Sequence, residues 1–304
     1  MTSAASPVSS ASSASIPRDE PYCARRAALA ALRERNPATK AASARALYQH
    51  VLEGRAVWST DIELAEPADL PGRPERPELV EPRLLGRRSM QSPQGRAVLL
   101  HALAHIEFNA INLALDAVWR FAGMPAAFYT DWLKVAAEEA YHYTLLAARL
   151  AEYGHGYGDF PAHGGLWDMC ERTRGDVLAR MALVPRTLEA RGLDASPPIR
   201  ARLLQAGDQA SAAILDVILR DEIGHVLIGN RWFRHLCEAG GFDPHETYLR
   251  LADEYHAPKL RGPFNFEARR EAGFDDAELA ALVSLDAQAQ PATPPEADDR
   301  ASAR

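Results

Sequence analysis

An all-α protein built around a four-helix bundle is what this sequence predicts, and three observations carry the prediction. Four long segments between Ser92 and Gly241 are rich in helix formers, with apolar residues recurring at threes and fours. Caps, prolines and glycines punctuate the ends of these segments. No alternating apolar–polar run of the kind that marks a strand interrupts them.

The elements follow in order. Residues 1–19 are Ser/Ala/Pro-rich and bury little surface, so a disordered tail is expected. They have neither a basic start nor a continuous apolar segment, so they do not read as a secretory signal. Residues 20–54 carry helical signals, with Leu29, Leu32, Leu47 and Val51 at irregular helical spacings. From Leu64 to Met90, Pro67, Pro71, Pro74, Pro77 and Pro82 recur too often for a helix. That stretch reads as an extended arm lying on the domain, with a flexible linker as the alternative. Helices and arm together make an N-terminal region over 20–91.

The bundle is predicted over 92–241. Its first helix opens at Ser92-Pro93 and runs to Gly123; the second opens near Met124-Pro125 and stops at Gly154. After a glycine-rich passage, the third is expected from Leu166 to Arg191, ended by Gly192. The fourth is expected from Ser196-Pro197-Pro198 to Gly240-Gly241. A C-terminal helical extension over 242–286 opens with Asp243-Pro244 and holds a short helix from Asp276 to Leu285. Residues 287–304 read as a second disordered tail.

Composition narrows the function classes. The chain has 304 residues, 47% of them apolar and 25% charged, with a net charge of −7. That balance fits a soluble globular protein and argues against a chain built around nonspecific nucleic-acid or anionic-membrane binding. No run of about 20 apolar residues suggests a membrane span. Cys23, Cys170 and Cys237 are odd in number and lack a CxxC spacing, so reduced thiols in the cytoplasm are expected.

Two helices contain Glu-x-x-His: Glu139 with His142, and Glu222 with His225. Residues three apart share a helix face, so each pair aims a carboxylate and an imidazole at one point. A third match, Glu152 with His155, includes Gly154, falls where the second helix ends, and has no partner. Glu107 precedes the first pair by 32 residues and Glu189 precedes the second by 33. The chain therefore repeats a unit: a helix with Glu, a turn, then an antiparallel helix with Glu-x-x-His. Two units make a bundle with pseudo-twofold symmetry and one central site.

The faces agree. Glu107 sits among Leu100, Leu103, Ala104, Ala110, Ile111 and Ala114, and Glu139 and His142 share a face with Trp132, Val135, Ala136 and Leu146. Leu215, Ile218 and Leu219 accompany Glu222 and His225, and Leu178 and Ala182 lie below Glu189. Four carboxylates on facing apolar stripes repel one another unless something neutralises them. Two divalent ions balance that charge. Arg186 offers Glu189 a competing partner, and Pro185 either disrupts its helix or opens it toward the metal. His101 and His105 tempt as further ligands, but His105 lies about 200° round the helix from Glu107. Tyr141 and Tyr143 flank His142, where packing is the expected role.

With these residues in place, the stretch from Ser92 to Gly240 resembles the ferritin-like di-iron carboxylate proteins. The resemblance implies that Glu107, Glu139, His142, Glu189, Glu222 and His225 bind a di-iron or mixed iron–manganese pair. It also implies that Glu138 and Asp221, the acids before each pair, hydrogen-bond the opposite histidines. The stretches LVPRTLEARGLD and KLRGPFNFEARREAGF look like an uncharacterised bacterial branch of that superfamily, related in layout to the ferritin-like tRNA hydroxylases.

The leading expectation is a non-haem di-iron oxidoreductase, a hydroxylase or oxygenase, acting on a small-molecule or nucleotide substrate with an electron donor. Lys259, Arg261, Phe264 and Phe266 are candidate substrate contacts, or close the end of the bundle. Iron handling as a ferroxidase or peroxide scavenger is the second reading. A non-catalytic helical binding module is the third.

Overall fold

The computed structural model describes residues 23–85 and 89–289. The two predicted tails otherwise lie outside them, apart from three residues that continue the last helix to Ala289. Among the described residues the fold is all-α, and two isolated β-bridges, Cys23 with Val57 and Leu79 with Ala162, are its extended pairings.

The described part of the first helical stretch, 23–54, forms two helices, α1 (Ala24–Arg33) and α2 (Pro37–Leu52). Asn36 separates them: its side chain accepts from the Thr39 N–H, and Pro37 occupies the first turn, where a missing N–H costs nothing. The prolines that follow form an arm that lies on the domain. The Gly72 N–H donates to Leu32 O, the Val80 N–H to Ala162 O and the Ala162 N–H to Glu78 O. A Cβ on Gly72 would fall 2.1 Å from Arg33 O, so only glycine lets the arm cross the end of α1. Buried Lys40 pins the crossing by donating to Gly72 O at 2.7 Å.

Helix α3 (Pro93–Arg120) opens where the sequence says, with Ser92 Oγ accepting from the Gly95 N–H at 3.0 Å. Its last turn is closed from outside: the buried Arg25 guanidinium donates to the carbonyls of Val118 and Trp119. Averaged over 18 residues, α3 has a mean hydropathy of 1.4, long and apolar enough to cross a membrane by length and composition. In the fold 72% of that window is buried, because α3 has neighbours on nearly every side.

Helix α4 (Ala126–Glu152) returns along α3, and α2 packs across both. Beyond the glycine-rich loop the expected third helix is not one helix. It is α5 (Gly165–Arg172), α6 (Val177–Leu183), a π-helical segment Val184–Glu189, and α7 (Ala190–Gln205). Asp176 caps α6 by accepting from the Ala179 N–H.

Gly192 does not end the third helix, and Ser196-Pro197-Pro198 does not open the fourth; both lie inside α7. Pro197 has no N–H to offer Leu193 O, but the Asn265 amide donates to that carbonyl at 3.2 Å. The true break is Gly207, at φ +77°, followed by Asp208, whose carboxylate accepts from the Ser211 N–H. Helix α8 (Gln209–Gly240) then runs back along α7, α6 and α4, ending at Gly241 in the left-handed region. The extension follows as α9 (Pro244–Glu254), α10 (Phe266–Glu271) and α11 (Asp276–Ala289). All three cysteines are free thiols.

The core is largely continuous. Leu100, Phe108, Leu146, Met181, Leu183, Leu215 and Phe233 belong to one buried cluster. A second, smaller cluster joins Ala190, Leu193 and Val226 to Phe264, Phe274, Leu279 and Leu282, fixing the extension against α7 and α8.

Candidate metal centre

The middles of α3, α4 and α8 and the end of the π segment bring the predicted acids and imidazoles to one buried point. Glu107, Glu139, His142 and Glu222 each offer a ligand atom, and these four atoms lie within 4.8 Å of one another. His142 Nδ1 stands 3.3 Å from both Glu107 Oε2 and Glu139 Oε2. His225 Nδ1 stands 3.0 Å from Glu139 Oε1 and 3.8 Å from Glu222 Oε2. Glu139 thus reaches one histidine with each oxygen. Glu189 as a whole is half-buried, but its Oε2 is fully enclosed and feels the charges of Glu222, Glu139 and His225.

The outer nitrogens are crossed between the halves. His142 Nε2 donates to Asp221 at 3.1 Å, and His225 Nε2 donates to Glu138 at 2.9 Å. A carboxylate only accepts, so each Nε2 carries its hydrogen and each Nδ1 is turned inward. Both Glu138 and Asp221 are held below the usual carboxylate range: burial pushes them up, but the histidine together with Lys134 beside Glu138 and Arg220 beside Asp221 outweighs it.

Electrostatics inside the site are severe. Burial first, and the Glu139 charge second, push Glu107 and Glu222 up; burial with the charges of Glu222 and Glu139 does the same to Glu189. For Glu139 burial is overridden by His225 and His142, which hold it well below the ordinary range. Burial alone would lower His142, yet its bonds to Asp221, Glu107 and Glu139 push it up to about 12. His225 rises likewise against burial, through Glu139, Glu138 and Glu222.

Whether this set suits a metal can be tested on its unpaired atoms. Glu139 Oε1, Glu189 Oε2, Glu222 Oε2 and His225 Nδ1 are all buried without a geometrically sound hydrogen bond. Glu139 Oε1 and His225 Nδ1 face each other as an ion pair at 3.0 Å, but Glu189 Oε2 and Glu222 Oε2 have no hydrogen-bond partner, and leaving even one such group unpaired costs about 1–3 kcal/mol, so the cluster calls for a shared partner. Carboxylate oxygens with imidazole nitrogens and no thiolate match iron or manganese better than a structural zinc.

Comparison with known proteins gives the lineage. The family described as "Protein of unknown function (DUF455)" matches residues 33–280. The chain belongs to this family. It is 45% identical over 258 residues to a Haemophilus influenzae protein described as "Uncharacterized protein", covering 82% of this chain and 90% of the relative. No solved structure matches the chain.

Other candidates fall elsewhere in this DUF455 fold. His105 faces away from the site: its Nδ1 lies 2.9 Å from the Tyr157 hydroxyl and its Nε2 3.1 Å from His163 O. His101 is buried, with Nε2 accepting from the Gly158 N–H. Glu152 ends α4 and His155 lies beyond it, so the third motif never shares a face. Phe264 packs in the second core cluster with Phe266 against it, while Lys259 and Arg261 are exposed. A cavity of about 340 Å³ lies under the arm, lined by Val98, Leu99, Ala102, Ile106, Phe160 and Leu166. Pro185 signalled the disturbed backbone that takes the form of the π segment ending at Glu189, whereas Gly229 facing it was missed, with a glycine in mid-helix as the available signal.

Proposed function

We propose that this protein is a ferritin-like, non-haem dinuclear iron or iron–manganese oxidoreductase that uses dioxygen or peroxide, most simply as a hydroxylase or oxygenase. The observation that supports it most is the buried cluster of Glu107, Glu139, His142 and Glu222, with His225 against Glu139 and Glu189 close enough to feel their charges, and with four of these polar atoms lacking a hydrogen bond. When bound, the metal pair would supply the redox chemistry. Glu107, His142, Glu189, Glu222, His225 and Glu139, which reaches both histidines, would hold the two ions.

The surrounding residues do the rest. Asp221 and Glu138 fix the histidine tautomers and keep both Nδ1 atoms available. Buried Leu100, Ala104, Ile111, Val135, Ala136, Leu146, Leu215 and Ile218 line the helices around them and exclude water.

The test is metal content and oxygen use. Protein purified without chelator and loaded anaerobically with Fe(II) should carry two metals per chain, and Glu139→Ala/Glu222→Ala should carry none. Oxygen consumption that continues with every added Fe(II) would move the reading to iron handling. A folded wild-type chain that takes up no metal would leave a helical binding module.

A further inference from the structure

The backbone that carries Glu189 is the least regular in the site. Pro185 cannot donate to Met181 O, and its ring crowds the carbonyl four residues back, so the helix widens there. The Ala190 N–H bonds to Pro185 O, five residues back, and Thr187 Oγ1 donates to Ala182 O at 2.8 Å. This inserts one residue into the turn. Relaxation to α-helical register would rotate Glu189 by about 100° and carry its carboxylate off the site.

Two contacts hold the wide turn in place. On one side, a Cβ at Gly229 of α8 would fall 2.5 Å from Pro185 Cβ, so the absence of a side chain lets the bulged backbone sit against α8. On the other, Arg186, one residue past the proline, is buried as a pin. Its guanidinium lies 5.0 Å from the ring centres of Phe233, Tyr248 and Phe274, and donates to Asn230 Oδ1 at 2.7 Å. It also bonds the carboxylate of Glu278, on α11. Glu278 is held in turn by Arg234 at 3.1 Å and by the Asp275 N–H at 2.9 Å. Asn230 is fixed by donating to Ala272 O at 2.7 Å.

We infer that Glu278 and Arg186, together with the gap at Gly229, are positioning residues for Glu189, so that the C-terminal extension sets the geometry of one of the two metal sites. The inference rests on the dinuclear reading above. It treats α11 as part of the centre's scaffold although α11 supplies no ligand.

The experiment is anaerobic Fe(II) loading of the full chain, with metal per chain and circular dichroism measured together. Glu278→Leu strands the Arg186 charge, Gly229→Ala wedges the turn from the other side, and Glu278→Asp keeps the ion pair. Arg25→Met, which uncaps α3 at its far end, controls for general instability. Expected are two irons in wild type, Glu278→Asp and Arg25→Met, and one iron in Glu278→Leu and Gly229→Ala. Gly229→Ala carries the test should Glu278→Leu not fold. Two irons in both folded variants would overturn the positioning role. A wild type that takes up none would overturn the dinuclear reading itself.

Discussion

Glu107 lies in the middle of an unbroken 28-residue α-helix, whereas Glu189 closes a six-residue π segment between two shorter helices. Both reach the same point, by different means. In the first half, the regular backbone of α3 and α4 places Glu107, Glu139 and His142, and the imidazole contacts both carboxylates at 3.3 Å. In the second half, α8 is regular but the segment that carries Glu189 is π-helical, and Glu189, Glu222 and His225 each have an atom without a hydrogen-bond partner, as Glu139 has in the first. The difference teaches that equivalent spacing in sequence, 32 residues against 33, does not imply equivalent backbone geometry.

The largest test of that contrast compares two single substitutions. Glu139 serves both histidines and Glu189 only the second half, so their removal should not be equivalent. Glu139→Ala is expected to lose both metals, and Glu189→Ala to retain one with its affinity reduced by no more than about 10-fold. Elemental analysis after anaerobic loading decides. Equal losses in the two variants would mean that the halves bind as one unit and that the asymmetry is confined to the backbone.

A smaller effect sharpens the comparison at the outer carboxylates. Asp221 supports the first-half histidine and is itself bonded by Arg220, while Glu138 supports the second-half histidine and is shared with Lys134. Asp221→Asn and Glu138→Gln should each weaken metal binding by about 10–100-fold without removing it. The loss should fall on the ion nearest the affected histidine. Competition with a chelator of known affinity measures it, and unchanged affinity would reduce both acids to surface ion pairs.

The same contrast explains what the sequence disclosed. Glu139 with His142 and Glu222 with His225 were legible because i, i+3 spacing fixes a shared face wherever the helix is regular. The crossed carboxylates, Glu138 and Asp221, were legible only through the resemblance, which implies an acid before each pair. Glu189 was found by its distance from Glu222, but the argument counting back to Ala182 and Leu178 assumed α-helical rotation that the π segment breaks. The misplaced boundary at Ser196 has a different origin. Pro197 ends a helix only when the carbonyl it orphans stays unpaired, and Asn265, some 70 residues later, pairs it. Long-range rescue of a local fault leaves no mark at the faulty position.

Among the buried cations that join each half to its flanking segment, Lys40 and Arg186 differ in a way that pH can expose. Arg186 has a carboxylate partner in Glu278; Lys40, which ties the arm to α3, has a carbonyl and an amide oxygen, and no ion pair within 4 Å among the described residues. Burial lowers the Lys40 pKa to about 7, with Glu34 opposing and Arg73 assisting. In the unfolded chain the same lysine titrates near about 10.4. Below pH 7 both states are protonated and the cost of burying the charge is constant. Between about 7 and 10.4 the unfolded chain binds more protons, so this cost is relieved and stability rises with pH, by at most about 1.4 kcal/mol per unit. Lys40→Met removes the titration. Urea denaturation from pH 6 to 9 should therefore show wild type gaining on the variant above pH 7 and running parallel to it below. Parallel curves throughout would mean that Gly72 O, Asn112 Oδ1 and the Phe108 ring, 4.9 Å away, keep the ammonium charged despite burial. The first half would then be pinned by a permanent cation, as the second half is.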